Sequence, residues 1–250
     1  MNAIFSTLLA ATAAKVEVPV DGSTGVWLKS GTTVISSGMK MTGAVVSSGQ
    51  MQRVYNRGTA QACAINSGGA QFVSSGGVAR SCTAYGGIQQ VYIGGTAVSC
   101  TMAESAFQYV NSAGSAIDTV IMGGRQYLGV GASAVGTVIS GSGGDWPRVY
   151  MAPGATTSDV RILFAGGALQ VSAGASAAGL LLSAGQAWIL GNCTDVTLRS
   201  GTVQITSPGV VSGVALSGGT LTVSSGGTAL AVTSTGGTVN VIEGGYIEYA

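Results

Sequence analysis

Pairs of glycine recur along this chain with a fixed rhythm, and that rhythm limits what the chain can fold into. In two stretches the pairs are spaced alternately 8 and 10 residues apart, so that the pattern repeats every 18 residues. The pairs lie at 68/69, 76/77, 86/87 and 94/95, and again at 218/219, 226/227, 236/237 and 244/245. Self-similarity at a fixed period of this kind is the signature of a repeat architecture.

Short apolar runs lie between the glycine pairs. Examples are residues 119–121, Thr-Val-Ile, and residues 126–128, Gln-Tyr-Leu. Runs of three to five β-branched and aromatic residues bounded by glycine predict short strands joined by tight turns that need positive φ. Each repeat is therefore predicted to contain two short strands.

Matching positions recur only after a full period, which distinguishes a solenoid from a meander of hairpins. The two runs within one unit differ in sequence, whereas units one period apart match position by position. One such apolar position holds Val54, Val73, Val91, Val110 and Leu128. Stacking whole units in parallel, about 4.8 Å apart, would place like residues on like in inward apolar ladders.

Alignment on the residue before the first run of each unit gives twelve units. They begin at Gly25, Gly43, Cys63, Cys82, Cys100, Asp118, Gly136, Asp159, Gly179, Asp195, Gly213 and Ala231. The sequence thus predicts an all-β, single-stranded parallel β-solenoid of about twelve coils over residues 25–245. Most coils hold ~18–20 residues, and the unit from Gly136 is lengthened to 23 by an insertion at 141–148. Residues 1–24 are expected to form an N-terminal cap or signal-like segment, and residues 246–250 a C-terminal end or cap.

Charge and composition exclude several classes of partner. The formal net charge is +1, and the ten basic residues are scattered, so no footprint for nucleic acid is present. No run of about 18 apolar residues occurs, and therefore no transmembrane helix is predicted. Hydrophobic residues make up 46% of the chain, which is enough to build a core.

No set of residues predicts an enzyme active site, a cofactor site or a metal site. Histidine is absent, which excludes Ser-His-Asp and Cys-His catalysis and zinc sites that require histidine. Asp118, Asp159 and Asp195 share one coil position, each two coils from the next, and could be read as carboxylates of a polysaccharide-cleaving β-helix. Aspartate is also a common turn residue, and we favour that interpretation.

Three cysteines fall at one predicted coil position. Cys63, Cys82 and Cys100 are spaced 19 and 18 residues apart, and the separation of one coil would allow a disulfide by distance alone. Neighbours in register on parallel strands seldom aim their Cβ atoms correctly for such a bond. We therefore expect a ladder of free thiols that act as small core fillers.

Contact with partners is expected on the lateral surface, which we predict to be rich in Ser, Thr and Gln. The strongest candidates for specific contact are Asp145, Trp146 and Arg148 in the insertion, because an exposed tryptophan beside a charge is a common anchor. The exposed aromatic residues are not expected to share one column, so a carbohydrate-stacking strip stays an open alternative without support from a shared column. These residues are Trp27, Trp146, Trp188, Tyr55, Tyr85 and Tyr127.

The repeats resemble the glycine-rich repeats of AIDA-type autotransporter adhesin passengers. The segments that carry the resemblance are residues 31–38, GTTVISSG, residues 134–141, AVGTVISG, and residues 211–228, VSGVALSGGTLTVSSGGT. The resemblance implies a secreted β-solenoid at the surface of a Gram-negative bacterium, used in adhesion, aggregation or biofilm formation, with O-glycosylation of Ser and Thr. It also implies a β-barrel translocator, which is missing after Ala250, so the chain is expected to be a passenger fragment or a member delivered another way.

The preferred function is a non-enzymatic, adhesive or structural rod that binds a host surface, a glycan or another copy of itself through many weak contacts. Two alternatives stay open. The first is a structural fibre or tail component of a phage or other assembly, located in a virion or cytoplasmic assembly. The second is an enzyme that acts on polysaccharide.

Overall fold

The computed structural model describes residues 15–17, 26–29, 31–141 and 146–250, and these residues form a parallel β-solenoid. Every regular element within the described ranges is a β-strand. Twelve of the long strands stack in parallel from one end of the solenoid to the other, so the predicted fold class and the number of coils are confirmed. At a spacing of about 4.8 Å the rod is on the order of 55 Å long.

Two sheets run the length of the rod. The long strands of four residues form a 13-stranded sheet. Its strands are β2 (Val26–Lys29), β3 (Thr32–Ile35), β6 (Met51–Val54), β9 (Ala70–Val73), β12 (Ile88–Val91), β15 (Phe107–Val110), β18 (Arg125–Leu128), β21 (Arg148–Met151), β24 (Ala168–Val171), β26 (Gln186–Ile189), β28 (Thr202–Ile205), β30 (Thr220–Val223) and β32 (Thr238–Val241).

The other strands form a 20-stranded sheet. They are β1 (Lys15–Glu17), β4 (Lys40–Thr42), β5 (Val45–Val46), β7 (Thr59–Gln61), β8 (Ala64–Asn66), β10 (Val78–Arg80), β11 (Thr83–Tyr85), β13 (Thr96–Val98), β14 (Thr101–Ala103), β16 (Ser115–Ile117), β17 (Val120–Ile121), β19 (Ser133–Val135), β20 (Val138–Ile139), β22 (Thr156–Ser158), β23 (Arg161–Ile162), β25 (Ser176–Leu182), β27 (Asn192–Leu198), β29 (Val210–Leu216), β31 (Thr228–Ser234) and β33 (Tyr246–Tyr249).

Alternation along each strand fixes which side chains enter the core. In β18 the second and fourth residues, Gln126 and Leu128, are buried, while Arg125 is exposed and Tyr127 is half-buried. The same alternation holds in most long strands, as expected when one face of a strand is packed inward. The core is therefore a set of columns, each built from one residue per coil.

The glycine pairs are explained by how closely neighbouring coils approach. In most pairs the first glycine takes a positive φ, as at Gly76 with +80°, whereas in the pairs 218/219 and 236/237 the second glycine does. The second has no room for a side chain, because a Cβ added at Gly77 would lie 2.2 Å from the carbonyl oxygen of Val54 in the preceding coil. The rhythm that marks the repeat thus records one backbone conformation and one close contact per turn.

One residue of positive φ bends the chain between the two short strands of each coil. At successive coils this corner position holds Gly43, Ala62, Ser81, Ser99, Asp118, Gly136, Asp159, Gly179, Asp195, Gly213 and Ala231. In β25, β27, β29 and β31 the two short strands join into one strand of seven residues that contains the corner residue. Each earlier coil thus holds three strand segments, one more than predicted, because the strand before the corner was not recognised.

The predicted alignment was wrong by one residue at the cysteines. Asp118 shares its column with the corner residues Ser81 and Ser99, whereas Cys82 and Cys100 come one residue later and point inward. The residues after Cys82 and Cys100 donate their backbone amides to the carbonyl oxygen of the cysteine in the preceding coil, as from Thr101 N to Cys82 O at 2.9 Å. These hydrogen bonds keep the cysteines in register. The sequence alignment places each cysteine at the corner because it directly precedes a short apolar run. In the structure the corner is the residue before the cysteine, and the cysteine side chain is buried.

The first predicted unit also differs from the others. Strand β2 pairs antiparallel with β3, and β1 pairs antiparallel with β4, so the run after Gly25 does not stack in parallel on later coils. Parallel stacking begins with β3 on β6. The predicted cap over residues 1–24 lies almost wholly outside the described residues and stays a prediction.

Candidate functional site

The tryptophan and arginine of the insertion lie together on the outward face of the long strands. Trp146 is 60% exposed, and Arg148 is the first residue of β21. The Cζ atom of Arg148 lies 5.6 Å from the Trp146 ring centre and 5.8 Å from that of Trp188, within the range of cation–π contact. Asp145, the third predicted contact residue, lies outside the described residues, and Trp188 was not linked to the group from the sequence.

A column of tyrosines runs beside this cluster. Tyr109, Tyr127 and Tyr150 are the third residues of three successive long strands, and each ring stacks on the next. Ring centres are 5.1 Å and 4.9 Å apart, with interplanar angles of 13° and 8°. Gln170 and then Trp188 continue the column in the next two coils.

The prediction that the aromatic residues share no column was therefore wrong for Tyr127 and Trp188. Tyr127 and Trp188 stand three coils apart at the same position, with Tyr150 between them. Tyr109 and Tyr127 directly precede Val110 and Leu128, whose shared position was recognised from the sequence. Their place before Val110 and Leu128 therefore predicts that the tyrosines share a column as well.

A shallow groove of about 290 Å³ runs along the tyrosine column. Beside the rings it is lined by one column of residues, in which Gly129 and Ala152 are small and leave room, and Asn111 and Ser172 hold the same position in the coils on either side. The Nδ2 atom of Asn111 is buried and has no hydrogen-bond partner. The groove thus combines aromatic edges, hydroxyl groups and an unused amide donor.

Inside the rod, a ladder of buried glutamines replaces the usual apolar column. Five glutamines on the second position of successive long strands are fully buried, which corrects the expectation that glutamine lies on the lateral surface. They are Gln52, Gln71, Gln89, Gln108 and Gln126. From Gln71 onward, each amide nitrogen donates to the amide oxygen of the glutamine in the preceding coil, at 2.6 Å for the first pair and 2.7 Å for the other three.

The thiols line the glutamine ladder. Gln71 donates to the sulfur of Cys82 at 3.6 Å and Gln89 to that of Cys100 at 3.4 Å, while Gln52 donates to Cys63 at 3.7 Å. All three cysteines are buried and free of disulfides, as is Cys193. The thiols therefore serve as polar neighbours of the glutamines as well as core fillers.

Coupling among the three thiols decides where a proton would be lost first. Hydrogen bonding to Cys82, together with burial, raises the pKa of Cys63 and of Cys100. Hydrogen bonds from Cys100 and Cys63 lower the pKa of the Cys82 thiol, since the middle sulfur is stabilised by both neighbours. Any thiolate in the ladder would thus reside on Cys82.

Cys193 belongs to a different column. It pairs in register with Ala177 and Val211 on adjacent coils. Burial, followed by the nearby Asp195 carboxylate, raises the pKa of Cys193 to about 12. The thiol is therefore neutral at physiological pH.

The three aspartates occupy corners of the chain. Asp118, Asp159 and Asp195 have φ of 52°, 56° and 57°, and glycine fills the corner of each following coil. The carboxylate of Asp118 lies where a Cβ at Gly136 would be, with 2.4 Å between Oδ1 and that position. The alternation of aspartate and glycine accounts for these residues as turn formers.

No group of His, Cys, Asp or Glu within the described ranges could hold a metal ion. The described part of the chain likewise includes no helix with the length and apolarity needed to span a bilayer.

Comparison with known proteins identifies a relative among solved structures. No protein-family model and no curated protein matches the chain. One similar solved structure is the crystal structure of a TibC-catalysed, hyper-glycosylated fragment of TibA, spanning TibA residues 55–350. The two chains are 30% identical, with a TM-score of 0.50, over 86% of this chain and 93% of the fragment. On these grounds the chain belongs to the β-solenoid family of the TibA passenger fragment, an AIDA-type autotransporter adhesin.

Proposed function

We propose that the chain is a non-enzymatic rod at the surface of a Gram-negative cell, where it mediates adhesion, aggregation or self-association. The observation that carries the proposal is the family relationship to an adhesin passenger, combined with a closed interior. Its core columns are filled from coil to coil, so partners can reach only the lateral faces and the ends. A rod with similar outward positions on every coil suits many weak contacts made together.

Burial of the cysteines supports this location. Free thiols are uncommon in oxidising compartments because accessible thiols form disulfides there. All four cysteines of this chain are buried, with exposures of 0% or 1%. A folded rod could therefore keep reduced thiols outside the cell.

The adhesive function can be tested by display on cells. The chain would be fused to an autotransporter translocator in a non-aggregating Gram-negative host, with a non-adhesive solenoid of similar length as the control. We expect faster settling of the culture and greater attachment to host cells than with the control. If a folded, surface-displayed rod changes neither settling nor attachment, the proposal is wrong.

We also propose that exposed serines in the turns accept glycans, because the TibA fragment is described as hyper-glycosylated. Suitable positions are Ser48, Ser75 and Ser225, each exposed in a turn between strands. Intact mass measurement of chain purified from its native host would show additional mass in units of one sugar. A mass equal to that of the unmodified chain would contradict this proposal.

A further inference from the structure

The groove beside the tyrosine column carries a more specific inference, which rests on the proposed adhesive function. We propose that this groove binds an anionic oligosaccharide, with Arg148 holding a sugar carboxylate and the tyrosine column contacting the sugar chain. The argument depends on charge, on unused hydrogen-bond donors and on the orientation of the tyrosine rings.

On the long strands whose side chains the structure describes, from Thr32 onward, the charged residues are all arginines. None of the thirteen long strands contains aspartate or glutamate, whereas Arg53, Arg125 and Arg148 lie on their outward side. Arg148 is held between two indole rings, and Arg125 lies 5.8 Å from the Phe107 ring centre. Arg148 also donates from Nη1 to the hydroxyl of Tyr150 at 3.4 Å, which places its guanidinium group beside the groove, and the cation–π contacts leave its charge available to an anion.

Two donors have no acceptor, one of them in the lining of the groove and the other beside it. The Nε atom of Arg148 and the Nδ2 atom of Asn111 are both buried and lack a hydrogen-bond partner. Each of these groups can only donate, so the ligand that completes them must supply acceptor oxygens. Asn111 and Arg148 stand two coils apart on opposite edges of the long strands, so a ligand that reaches both is elongated.

The tyrosine rings favour a sugar chain over a nucleic acid. Because the rings stack on one another at 4.9 and 5.1 Å, they cover each other's faces and present their edges to the groove. Single-stranded nucleic acid is held mainly by bases stacked on open aromatic faces, which this column does not offer. Edges and hydroxyls repeated at about the length of one sugar residue suit the hydroxyl groups of a polysaccharide.

The experiment measures binding of the purified chain to acidic oligosaccharides by isothermal titration calorimetry. The probes are fragments of hyaluronan, alginate and polygalacturonate, with neutral dextran of equal length and a single-stranded oligonucleotide as comparisons. We expect at least one acidic oligosaccharide to bind in a salt-dependent manner, with dextran at least tenfold weaker.

Three variants locate the site. Arg148→Met should weaken binding at least tenfold, and Tyr127→Phe, which keeps the stack and removes one hydroxyl, should weaken it several-fold. Arg53→Met is the matched control, since Arg53 lies on the same face but five coils from Arg148, and it should leave affinity unchanged. Circular dichroism of each variant would show that the solenoid is intact.

Several results would overturn the inference. The inference is wrong if none of the acidic oligosaccharides binds, or if dextran binds equally tightly. It is also wrong if Arg53→Met loses as much affinity as Arg148→Met, or if the oligonucleotide binds as tightly and with the same dependence on Arg148. Cell adhesion or aggregation that persists together with any of these results would leave the proposed function standing and this site wrong. Loss of both would refute both.

Discussion

Replacement of a central glutamine by leucine should destabilise the solenoid more than replacement of a terminal one. Gln89 is fully buried, donates to Gln71 Oε1 at 2.7 Å, and accepts from Gln108 Nε2 at 2.7 Å. Leucine has a similar size but leaves that oxygen and that nitrogen without partners. Each orphaned buried group costs about 1–3 kcal/mol, which gives roughly 2–6 kcal/mol before the gain from a more apolar side chain, about 1 kcal/mol.

Gln126→Leu is the matched control at the end of the ladder. Gln108 Oε1 would still accept from Thr119 Oγ1 at 3.3 Å, and the next coil offers an apolar neighbour, Val149. Only the hydroxyl of Thr137 loses its acceptor. We therefore expect a loss of about 1–2 kcal/mol, clearly smaller than that for the central variant.

Amide hydrogen exchange followed by mass spectrometry is the suitable assay. Solenoids can open coil by coil, so a single midpoint in denaturant does not give a two-state free energy. Exchange of peptides that contain the long strands reports the free energy of local opening. Equal loss of protection in the two variants, or greater protection in Gln89→Leu, would refute the reasoning that the hydrogen-bonded ladder stabilises these coils.

Three other predictions follow from single sites. Gly77→Ala should lower the free energy of unfolding by about 3 kcal/mol, because the new Cβ meets the backbone of the preceding coil. Gly131→Ala has open space around its Cβ and should lower it by only about 1–2 kcal/mol, because of the positive φ. Thermal unfolding that ranks the two variants the other way would contradict this. The Cys193 thiol loses its proton near pH 9 in the unfolded chain and near pH 12 in the folded chain. Between these pH values the free energy of unfolding should therefore fall by about 1.4 kcal/mol per pH unit, relative to that of Cys193→Val. A pH-independent difference in denaturant midpoint between the two proteins would show that the thiol is not buried. Finally, all four thiols should resist Ellman's reagent at pH 8 until the protein is unfolded, and rapid labelling of the native chain would oppose their burial.

The period was predictable from the sequence because backbone requirements restrict one position to a small residue in most coils. In these coils the position of Gly77 is held by glycine or, in three successive coils, by Ala132, Ala155 and Ala175, so the pattern repeats wherever the close approach of two coils repeats. The antiparallel pairing of β2 was not predictable in this way, since Val26–Lys29 has the same composition as a parallel strand and differs only in its partner. Pairing direction depends on the chain path, which short runs do not encode.

The glutamine ladder was missed for a different reason. Glutamine is usually exposed, and its presence on alternate positions suggested an outward face. Yet the five glutamines recur at spacings of 19, 18, 19 and 18, and each directly precedes an outward residue followed by a buried apolar one. The spacing therefore predicts that the five glutamines share one column, whereas the usual exposure of glutamine predicts the outward face of the strand, and the second prediction is wrong.

Two interior columns change character at the same coil, and hydrogen bonding explains why they change together. In the coils up to Gln126 and Thr137, each buried glutamine of a long strand contacts a thiol or a hydroxyl of the neighbouring column. In the next coil the same two positions hold Val149 and Val160, and two apolar columns begin there. A buried amide needs a polar neighbour, so neither column can become apolar alone without leaving groups unpaired. The insertion at 141–148 falls at this boundary, and the tyrosine stack crosses it with 4.9 Å between ring centres. The coil spacing is thus unchanged where the interior switches, and the insertion adds Trp146 to the outward face without disturbing the column that forms the groove.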